Sequence, residues 1–223
     1  MQHYNHNDLL NMNARYRVQL MNSLSGFKSV NVIGTSNAEG KHNLAIFSSV
    51  FHLGSSPALV GFIMRPDSAA RHTLGNIQQT EQYTINQVSE SFWRKAHQTS
   101  ARYLANESEF NQVDLTPDFI NGVDAPFVKE SRLKYALTLR EIIPISLNDT
   151  QLIIGEITHI VCEKEAIKDD GYIDIESLDT VALSGLDSYH STQRLSRISY
   201  AKPDKHSVDI SLNGDIPDNN PVG

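Results

Sequence analysis

Two short segments of the sequence carry polar side chains in a pattern suited to an anionic ligand. The first, Phe47-Ser48-Ser49, follows an apolar, strand-like run. Hydroxyl groups and neighbouring backbone N–H groups at the end of a strand can converge on one cluster of oxygens. In the alternative interpretation, the two serines lie in a turn and satisfy their own backbone. This segment alone leaves both interpretations open.

The second segment, residues 64–77, places a polar and basic loop between a strand and a helix. Arg65 and Arg71 lie in the loop, and the helix is predicted to begin near Thr73. A helix N-terminus offers unpaired N–H groups and a positive dipole end, which favour a phosphate, and arginines add charge-assisted hydrogen bonds. The alternative is that Thr73 is an ordinary N-cap and that the arginines are solvated.

The composition limits the classes of partner. The chain has 223 residues, of which 39% are hydrophobic and 20% charged, and its formal net charge is −7. This balance predicts a packed domain and argues against nucleic acid as the main partner, although a local phosphate site stays compatible with it. The single cysteine, Cys162, excludes an intramolecular disulfide and a cysteine metal cluster. The histidines lack a metal-ligand spacing such as HExxH, so no metal is predicted.

The N-terminal residues are polar and lack the features of a signal peptide. No window of the sequence approaches the roughly 20 apolar residues of a membrane span. These observations predict a cytoplasmic protein with no membrane segment.

Short strands joined by turns predict a mainly β fold. An amphipathic helix that caps a sheet is predicted at 12–24 and a short helix at 73–80, and strands are predicted at 30–33, 44–51, 58–64, 83–86, 133–143 and 152–161. Residues 37–40 have the composition of a hairpin turn, and the Asn148-Asp149 turn predicts an antiparallel hairpin of the last two strands. Because no long helix separates the first three strands, a mostly antiparallel barrel or sandwich with peripheral helices is favoured over a doubly wound parallel sheet. The motifs GxGxxG and GxxxxGK[ST] of parallel nucleotide-binding folds are absent.

Three regions are predicted along the chain. Residues 1–26 form a polar segment with a helix, and residues 27–202 form the barrel domain. An excursion at about 90–128 interrupts the barrel, and such long excursions are usually functional or linking segments. Residues 203–223 are rich in Asp, Asn, Pro and Gly, which predicts a flexible tail.

Taken in order, these segments resemble the flavin reductase-like family. The resemblance is carried by residues 47–49, 61–66, 71–77 and 83–86, and it continues through 96–100, 109–110, 115–117, 125–127 and 184–189. One departure is Ile46, which stands where many relatives have proline before the aromatic residue. A less rigid turn is expected there, although the serines that follow are retained.

The resemblance implies an FMN-binding split β-barrel that forms a homodimer. In this family pattern Ser48, Ser49, Thr73 and the loop around Arg65 and Arg71 would hold the FMN phosphate, and the backbone at 63–65 would line the isoalloxazine. His97 and its neighbours would approach the phosphate or ribityl chain from the excursion, and Tyr189 would cover the flavin. The alternatives are that His97 is a surface helix residue and that Tyr189 packs beside the barrel. The predicted cofactor-binding residues are Phe47, Ser48, Ser49, Ile63, Met64, Arg65, Arg71, His72, Thr73, Asn76, His97, Thr99, Ser100 and Tyr189.

The resemblance also implies an activity. NADH or NADPH would deliver a hydride to flavin N5, and because the flavin carries this chemistry, no protein nucleophile is needed. Two alternatives stay open, since related barrels host several functions. The protein could be an FMN-binding carrier or redox partner with little reductase activity, or an enzyme of the pyridoxamine-phosphate-oxidase type.

Overall fold

A computed structural model describes residues 1–66, 72–104 and 107–216 of the chain. Its centre is a seven-stranded antiparallel sheet in the order β3-β2-β6-β9-β10-β5-β4. The strands of this sheet are β2 (Asn31–Ser36), β3 (His42–Phe47), β4 (Phe51–Ser55), β5 (Ala58–Met64), β6 (Gln82–Gln87), β9 (Leu133–Ile145) and β10 (Thr150–Cys162). This arrangement confirms the predicted mainly β, mostly antiparallel fold.

Short elements surround the sheet. The helices are α1 (His6–Asn11), α2 (Ala14–Ser23), α3 (His72–Thr80), α4 (Trp93–Gln98), α5 (Glu109–Gln112) and a 3-10 turn at Lys164–Ala166. The minor strands are β1 (Lys28–Ser29), β7 (Pro117–Asp118), β8 (Phe127–Val128), β11 (Ala182–Ser184), β12 (Ser188–His190), β13 (Arg197–Ile198) and β14 (Asp209–Ile210). Within the described ranges, no helix is long and apolar enough to cross a membrane.

The sheet must curl, because its two edge strands are neighbours in sequence. β3 and β4 lie at opposite edges, yet only residues 48–50 separate them. Four Cα–Cα steps span at most about 14 Å, whereas the edges of a flat seven-stranded sheet would lie about 29 Å apart. The sheet therefore rolls into a barrel that stays split between β3 and β4. The single strand predicted at 44–51 is wrong for this reason, since the chain leaves one edge at Phe47 and joins the other at Phe51.

The N-terminal region matches the prediction in the position of its main helix but not in its packing. The helix predicted at 12–24 is observed as α2, which begins after Asn13, whose side chain accepts hydrogen bonds from the N–H groups of Arg15 and Tyr16. A further helix, α1, precedes it and was not predicted. Neither helix has a buried residue. The predicted packing of this helix over the sheet is therefore not observed.

Two apolar clusters form most of the core. One fills the barrel and includes Ile33, Phe62 and Tyr83, all fully buried. The other lies between β2–β3 and the excursion, where Leu44 contacts a cluster that includes Phe110. The excursion is therefore packed against the outside of the barrel and supplies one wall of the space beside β3.

Asn86 explains how the excursion is anchored to the barrel. Its side-chain amide donates to the carbonyl of Val32, and its side-chain oxygen accepts the N–H of Val128 on β8. The residue is fully buried, so both bonds replace hydrogen bonds to water that burial removes. The asparagine of the family-like segment at 83–86 thus has a structural role in this fold.

The C-terminal part of the described chain pairs β13 with β14. Arg197 contacts the carboxylate of Asp170 and lies 4.2 Å from the ring centroid of Tyr172, which attaches this pair to the body of the protein. The division of the chain at residues 26 and 202 and the flexibility of the tail stay predictions; residues 217–223 of the tail lie outside the described residues.

Candidate functional site

A cavity of about 590 Å³ lies where the barrel is split. Its wall is formed by the end of β3, the linker 48–50, the end of β5, the start of α3, the end of α4 and the segment 183–189. The structure brings most of the predicted binding residues to this one cavity: Phe47, Ser48, Ser49, Ile63, Met64, Arg65, His72, Thr73, His97, Thr99, Ser100 and Tyr189.

Two predicted residues differ from this set. Arg71 lies outside the described residues. Asn76 is buried away from the cavity lining, and its amide donates to the hydroxyl of Thr35 at 3.0 Å. Asn76 therefore fastens α3 to β2, which gives it a positioning role in this structure.

Thr73 is the most enclosed hydroxyl on the α3 side of the cavity. It lies in the first turn of α3, is 7% exposed, and accepts a hydrogen bond of 3.1 Å from the side-chain amide of Asn43. A hydroxyl has one proton and two lone pairs, so this bond leaves the Thr73 proton available to an acceptor in the cavity.

Ser49 holds the linker against β5. Its hydroxyl donates to the carbonyl of Ile63 at 3.1 Å and accepts the N–H of the same residue at 3.2 Å. These two bonds use the hydroxyl proton, so Ser49 offers a ligand its backbone and one remaining lone pair. They also fix the backbone at Ile63 beside the cavity.

Thr99 caps the C-terminus of α4, and its hydroxyl is not a free donor for the cavity. Its hydroxyl donates to the carbonyl of Ala96 at 2.8 Å, and the N–H of Ser100 donates to the carbonyl of His97. The side-chain proton of Thr99 is therefore engaged within its own helix. Its contribution to the cavity is shape and oxygen lone pairs.

An aromatic group closes the side of the cavity formed by β12. The hydroxyl of Tyr189 lies 2.9 Å from Nδ1 of His97, and its ring packs 4.8 Å from that of Trp93. Burial, with a smaller contribution from Asp187, raises the pKa of Tyr189 to about 12. The phenol therefore stays neutral and keeps its proton at ordinary pH.

Sequence reasoning missed several cavity residues. Asn43, Arg102 and Glu109 line the cavity beside those already named. Glu109 lies in the family-like segment 109–110, for which no binding role was predicted. It is 7% exposed, and its carboxylate accepts the N–H of Leu44 on the free edge of β3 at 3.0 Å. Burial raises its pKa, although the bond from Leu44 and the charge of His72 oppose this shift.

Comparison with known proteins decides the family. The model of the flavin reductase like domain matches residues 24–176, which is more than half of the chain. The chain belongs to the flavin reductase-like family. The resemblance seen in the sequence is thereby confirmed, and the function of the protein is flavin-related.

Solved structures agree with this assignment. A protein from Shewanella frigidimarina NCIMB 400, provisionally assigned as a flavin reductase with a split barrel domain, is 48% identical, with a TM-score of 0.87 over 90% of this chain and all of that one. The flavoredoxin of Desulfovibrio vulgaris (Miyazaki F) is 25% identical, with a TM-score of 0.66 over 80% of this chain and 92% of its own. Nitrilotriacetate monooxygenase component B from Bacillus cereus is 20% identical and shares the fold, with a TM-score of 0.78 over 88% of this chain and 98% of its own.

The cavity of this flavin reductase-like protein fits a ligand with an anionic end and a flat apolar part. Its volume falls within the range of about 300–1,000 Å³ that is usual for small-molecule sites. Four basic or titratable nitrogen side chains line it, namely Arg65, His72, His97 and Arg102. Among the described residues of the lining, Glu109 alone is acidic. The two arginines thus place positive charge at the cavity of a chain whose formal net charge is −7.

Another part of the lining is apolar. Ile46, Phe47, Leu183 and Leu186 contribute to it. Phe47 packs edge-on against Phe62 of the core at 5.1 Å, which holds its ring in place. A planar aromatic ligand would bury apolar surface here while its charged end reached α3, so the residues fit a flavin that carries a phosphate.

Proposed function

We propose that the cavity binds FMN without a covalent bond and that the protein is an NAD(P)H-dependent oxidoreductase of the flavin reductase type. One observation carries the proposal. The buried Thr73 hydroxyl lies in the first turn of α3 and donates to no acceptor within the described residues, and it lines a cavity with basic side chains in a chain of the flavin reductase-like family.

The phosphate end of the ligand is assigned to the start of α3. The first N–H groups of a helix and its positive dipole end favour an anion, and Thr73 adds a hydroxyl donor. Ser48 and Arg65 line the same cavity and supply a further hydroxyl and a charge. Arg71, which is outside the described residues, belongs to this proposed set on the strength of its sequence position alone.

The ring end of the ligand is assigned to the backbone at 63–65 and the apolar wall near Phe47. The two hydrogen bonds between Ser49 and Ile63 hold this part of the backbone in place, so the peptide groups that follow at 64–65 are proposed to face the edge of the ring in fixed positions. Fixed donors and acceptors of this kind orient a cofactor and stabilise charge without rearrangement. When bound, FMN would accept a hydride at N5 from NADH or NADPH.

Tyr189 and His97 are assigned to the cover of the site. Their hydrogen bond joins β12 to α4 at the cavity wall, and the ring of Tyr189 packs on that of Trp93. Because Tyr189 remains neutral, it can donate a hydrogen bond to the ligand or to His97 without adding negative charge beside a phosphate.

The absorption spectrum of the purified protein tests this proposal. Bound flavin gives a yellow protein, and NADH or NADPH added without oxygen is expected to bleach the absorbance. A protein that binds FMN but stays oxidised with both donors contradicts the reductase activity and leaves flavin binding intact. A protein that binds no FMN after reconstitution contradicts the whole proposal.

A second candidate is a flavin-binding redox partner with little reductase activity of its own. The 25% identity to a flavoredoxin is the observation that favours it. This candidate predicts that the bound flavin is reduced slowly by nicotinamides but rapidly by a reduced electron-transfer protein. Comparison of the two rates under the same anaerobic conditions distinguishes it from the reductase.

The protein is also proposed to form a homodimer, because α2 turns its polar side to the body. Gln19 contacts Asp187, and Asn22 contacts Arg65, whereas Met21 and Leu24 are exposed, the latter by 72%. Exposed apolar residues on one helix face are typical of a subunit contact.

Sedimentation at micromolar concentration tests whether the protein is a dimer. Leu24→Glu is expected to dissociate the dimer, Ser25→Glu is the control, and a monomeric wild type contradicts the proposal.

A further inference from the structure

Asn43 occupies a special position between the barrel and α3. It lies on β3, is 7% exposed, and lines the cavity. Its side-chain nitrogen donates to Oγ1 of Thr73 at 3.1 Å, within the buried part of the structure. No segment of the sequence had marked Asn43 as part of the site.

The orientation of this bond determines what Thr73 can do. The amide proton occupies one lone pair of the hydroxyl, so its own proton points elsewhere. Across the described ranges, Oγ1 of Thr73 has no other hydrogen-bond partner, and Thr73 lines the cavity. The hydroxyl therefore meets a cavity ligand as a donor, which requires an acceptor on the ligand.

Two cross-strand neighbours hold this arrangement in place. Thr35 on β2 and Asn43 on β3 are register partners. Thr35 accepts the amide of Asn76, and Asn43 donates to Thr73, three residues earlier on the same helix. Residues three apart lie on one face of a helix, so the two bonds fix both its position and its rotation.

The backbone beside Asn43 is fixed as well. The N–H of Leu44, the next residue, donates to the buried carboxylate of Glu109 on α5. Asn43 is thus held by β2 on one side and by the excursion on the other, which keeps its side chain directed at Thr73.

We propose that Asn43 is a positioning residue that sets Thr73 as a hydrogen-bond donor and thereby makes the cavity select a phosphate monoester over a neutral hydroxyl. This inference rests on the proposed function, because the ligand pair that tests it is FMN and riboflavin, which differ only in that phosphate. A phosphate oxygen accepts a charge-assisted hydrogen bond, whereas the terminal hydroxyl of riboflavin gains much less from the same donor.

The experiment measures the dissociation constants of FMN and riboflavin for the full chain and five variants, of which Thr73→Val alone is the reference for the second background. Asn43→Asp replaces the donor by a carboxylate of the same shape, which takes the Thr73 proton and turns a lone pair toward the cavity. Asn43→Leu removes the polar group without adding charge. Each substitution is made with Thr73 intact and in the Thr73→Val background, where no hydroxyl can be oriented.

With Thr73 intact, Asn43→Leu is expected to weaken the binding of FMN by about tenfold or less and to leave the binding of riboflavin nearly unchanged. In the Thr73→Val background the same substitution is expected to have no effect on the ratio of the two constants. Asn43→Asp adds a negative charge that repels phosphate in both backgrounds. The informative quantity is therefore the further loss of FMN affinity, about tenfold, that appears only when Thr73 is present.

The inference is overturned if FMN affinity falls equally in both backgrounds, or if the affinities for FMN and riboflavin fall in parallel. Either result would mean that Asn43 has a purely structural or electrostatic effect. The Leu variant keeps the test decisive if the Asp variant does not fold, which thermal unfolding detects. A wild type that binds both flavins equally overturns this inference alone. A wild type that binds neither overturns the proposed function with it.

Discussion

Replacement of Thr73 by valine is the sharpest single test of the phosphate site. Valine keeps the shape of threonine and removes the hydroxyl, which is 7% exposed and bonded only to Asn43 within the described ranges. A hydrogen bond to a charged group contributes about 1–3 kcal/mol when it is buried. The dissociation constant of FMN is therefore expected to rise about 5- to 150-fold.

The same substitution has a smaller effect on stability. The amide of Asn43 loses its acceptor, and a buried donor without a partner costs about 1 kcal/mol or more. For a domain of this size, that cost lowers Tm by about 2–4 °C. The loss in affinity thus exceeds what partial unfolding can explain, because the variant remains folded at the temperature of the titration.

A flavin fluorescence titration measures the affinities, with two matched controls. Thr73→Ser keeps the hydroxyl and is expected to stay within a few-fold of wild type. Thr80→Val removes a hydroxyl from the same helix, where it donates to the carbonyl of Asn76 away from the cavity lining, so FMN affinity should not change. Unchanged FMN affinity in Thr73→Val would show that the phosphate binds elsewhere and would refute the assignment of α3.

Three further predictions concern the frame around the site. Burial raises the pKa of the Glu109 carboxyl, so its ionisation lowers the free energy of unfolding as pH rises above the ordinary pKa of 4.5. Between pH 4 and 8, the free energy of unfolding of Glu109→Gln should therefore rise relative to that of the wild type. Urea unfolding measures this difference, and a difference that does not depend on pH would contradict the reasoning. The buried hydroxyl of Tyr83 has no partner within the described ranges, so Tyr83→Phe should raise the free energy of unfolding by about 1 kcal/mol, and a loss would disprove the reasoning. In Gly34→Ala, the new Cβ would lie 2.1 Å from the carbonyl oxygen of Pro126, so a destabilisation of about 3 kcal/mol is expected in the same assay, and a neutral result would contradict the contact.

Local sequence patterns were sufficient for much of the fold. The strand predicted at 58–64 matches β5, because its apolar run is bounded by Pro57 on one side and by a polar loop on the other. The predicted turn at 37–40 joins β2 to β3, and the hairpin of β9 and β10 forms where the Asn148-Asp149 turn predicts it. These features depend on neighbouring residues, so one sequence can reveal them.

The break at 48–50 could not be found in this way. Residues 44–51 read as one apolar strand, and nothing local shows that Phe47 and Phe51 belong to opposite edges of the sheet. That assignment depends on how the whole sheet curls and closes. The same limit explains α2, whose apolar residues suggested a packed helix but lie exposed, since the polar side contacts the body.

The candidate site shows the same division. The serines at 48–49 and Thr73 have residue types suited to a phosphate, so the sequence by itself identified two segments that the structure brings to one cavity. Only the tertiary structure decided which hydroxyls keep a proton for a ligand: Ser49 is bonded to Ile63, whereas the amide of Asn43 leaves Thr73 as a donor. The physical reason is that a hydroxyl has one proton, and its direction is set by partners that are distant in sequence and meet only when the barrel forms.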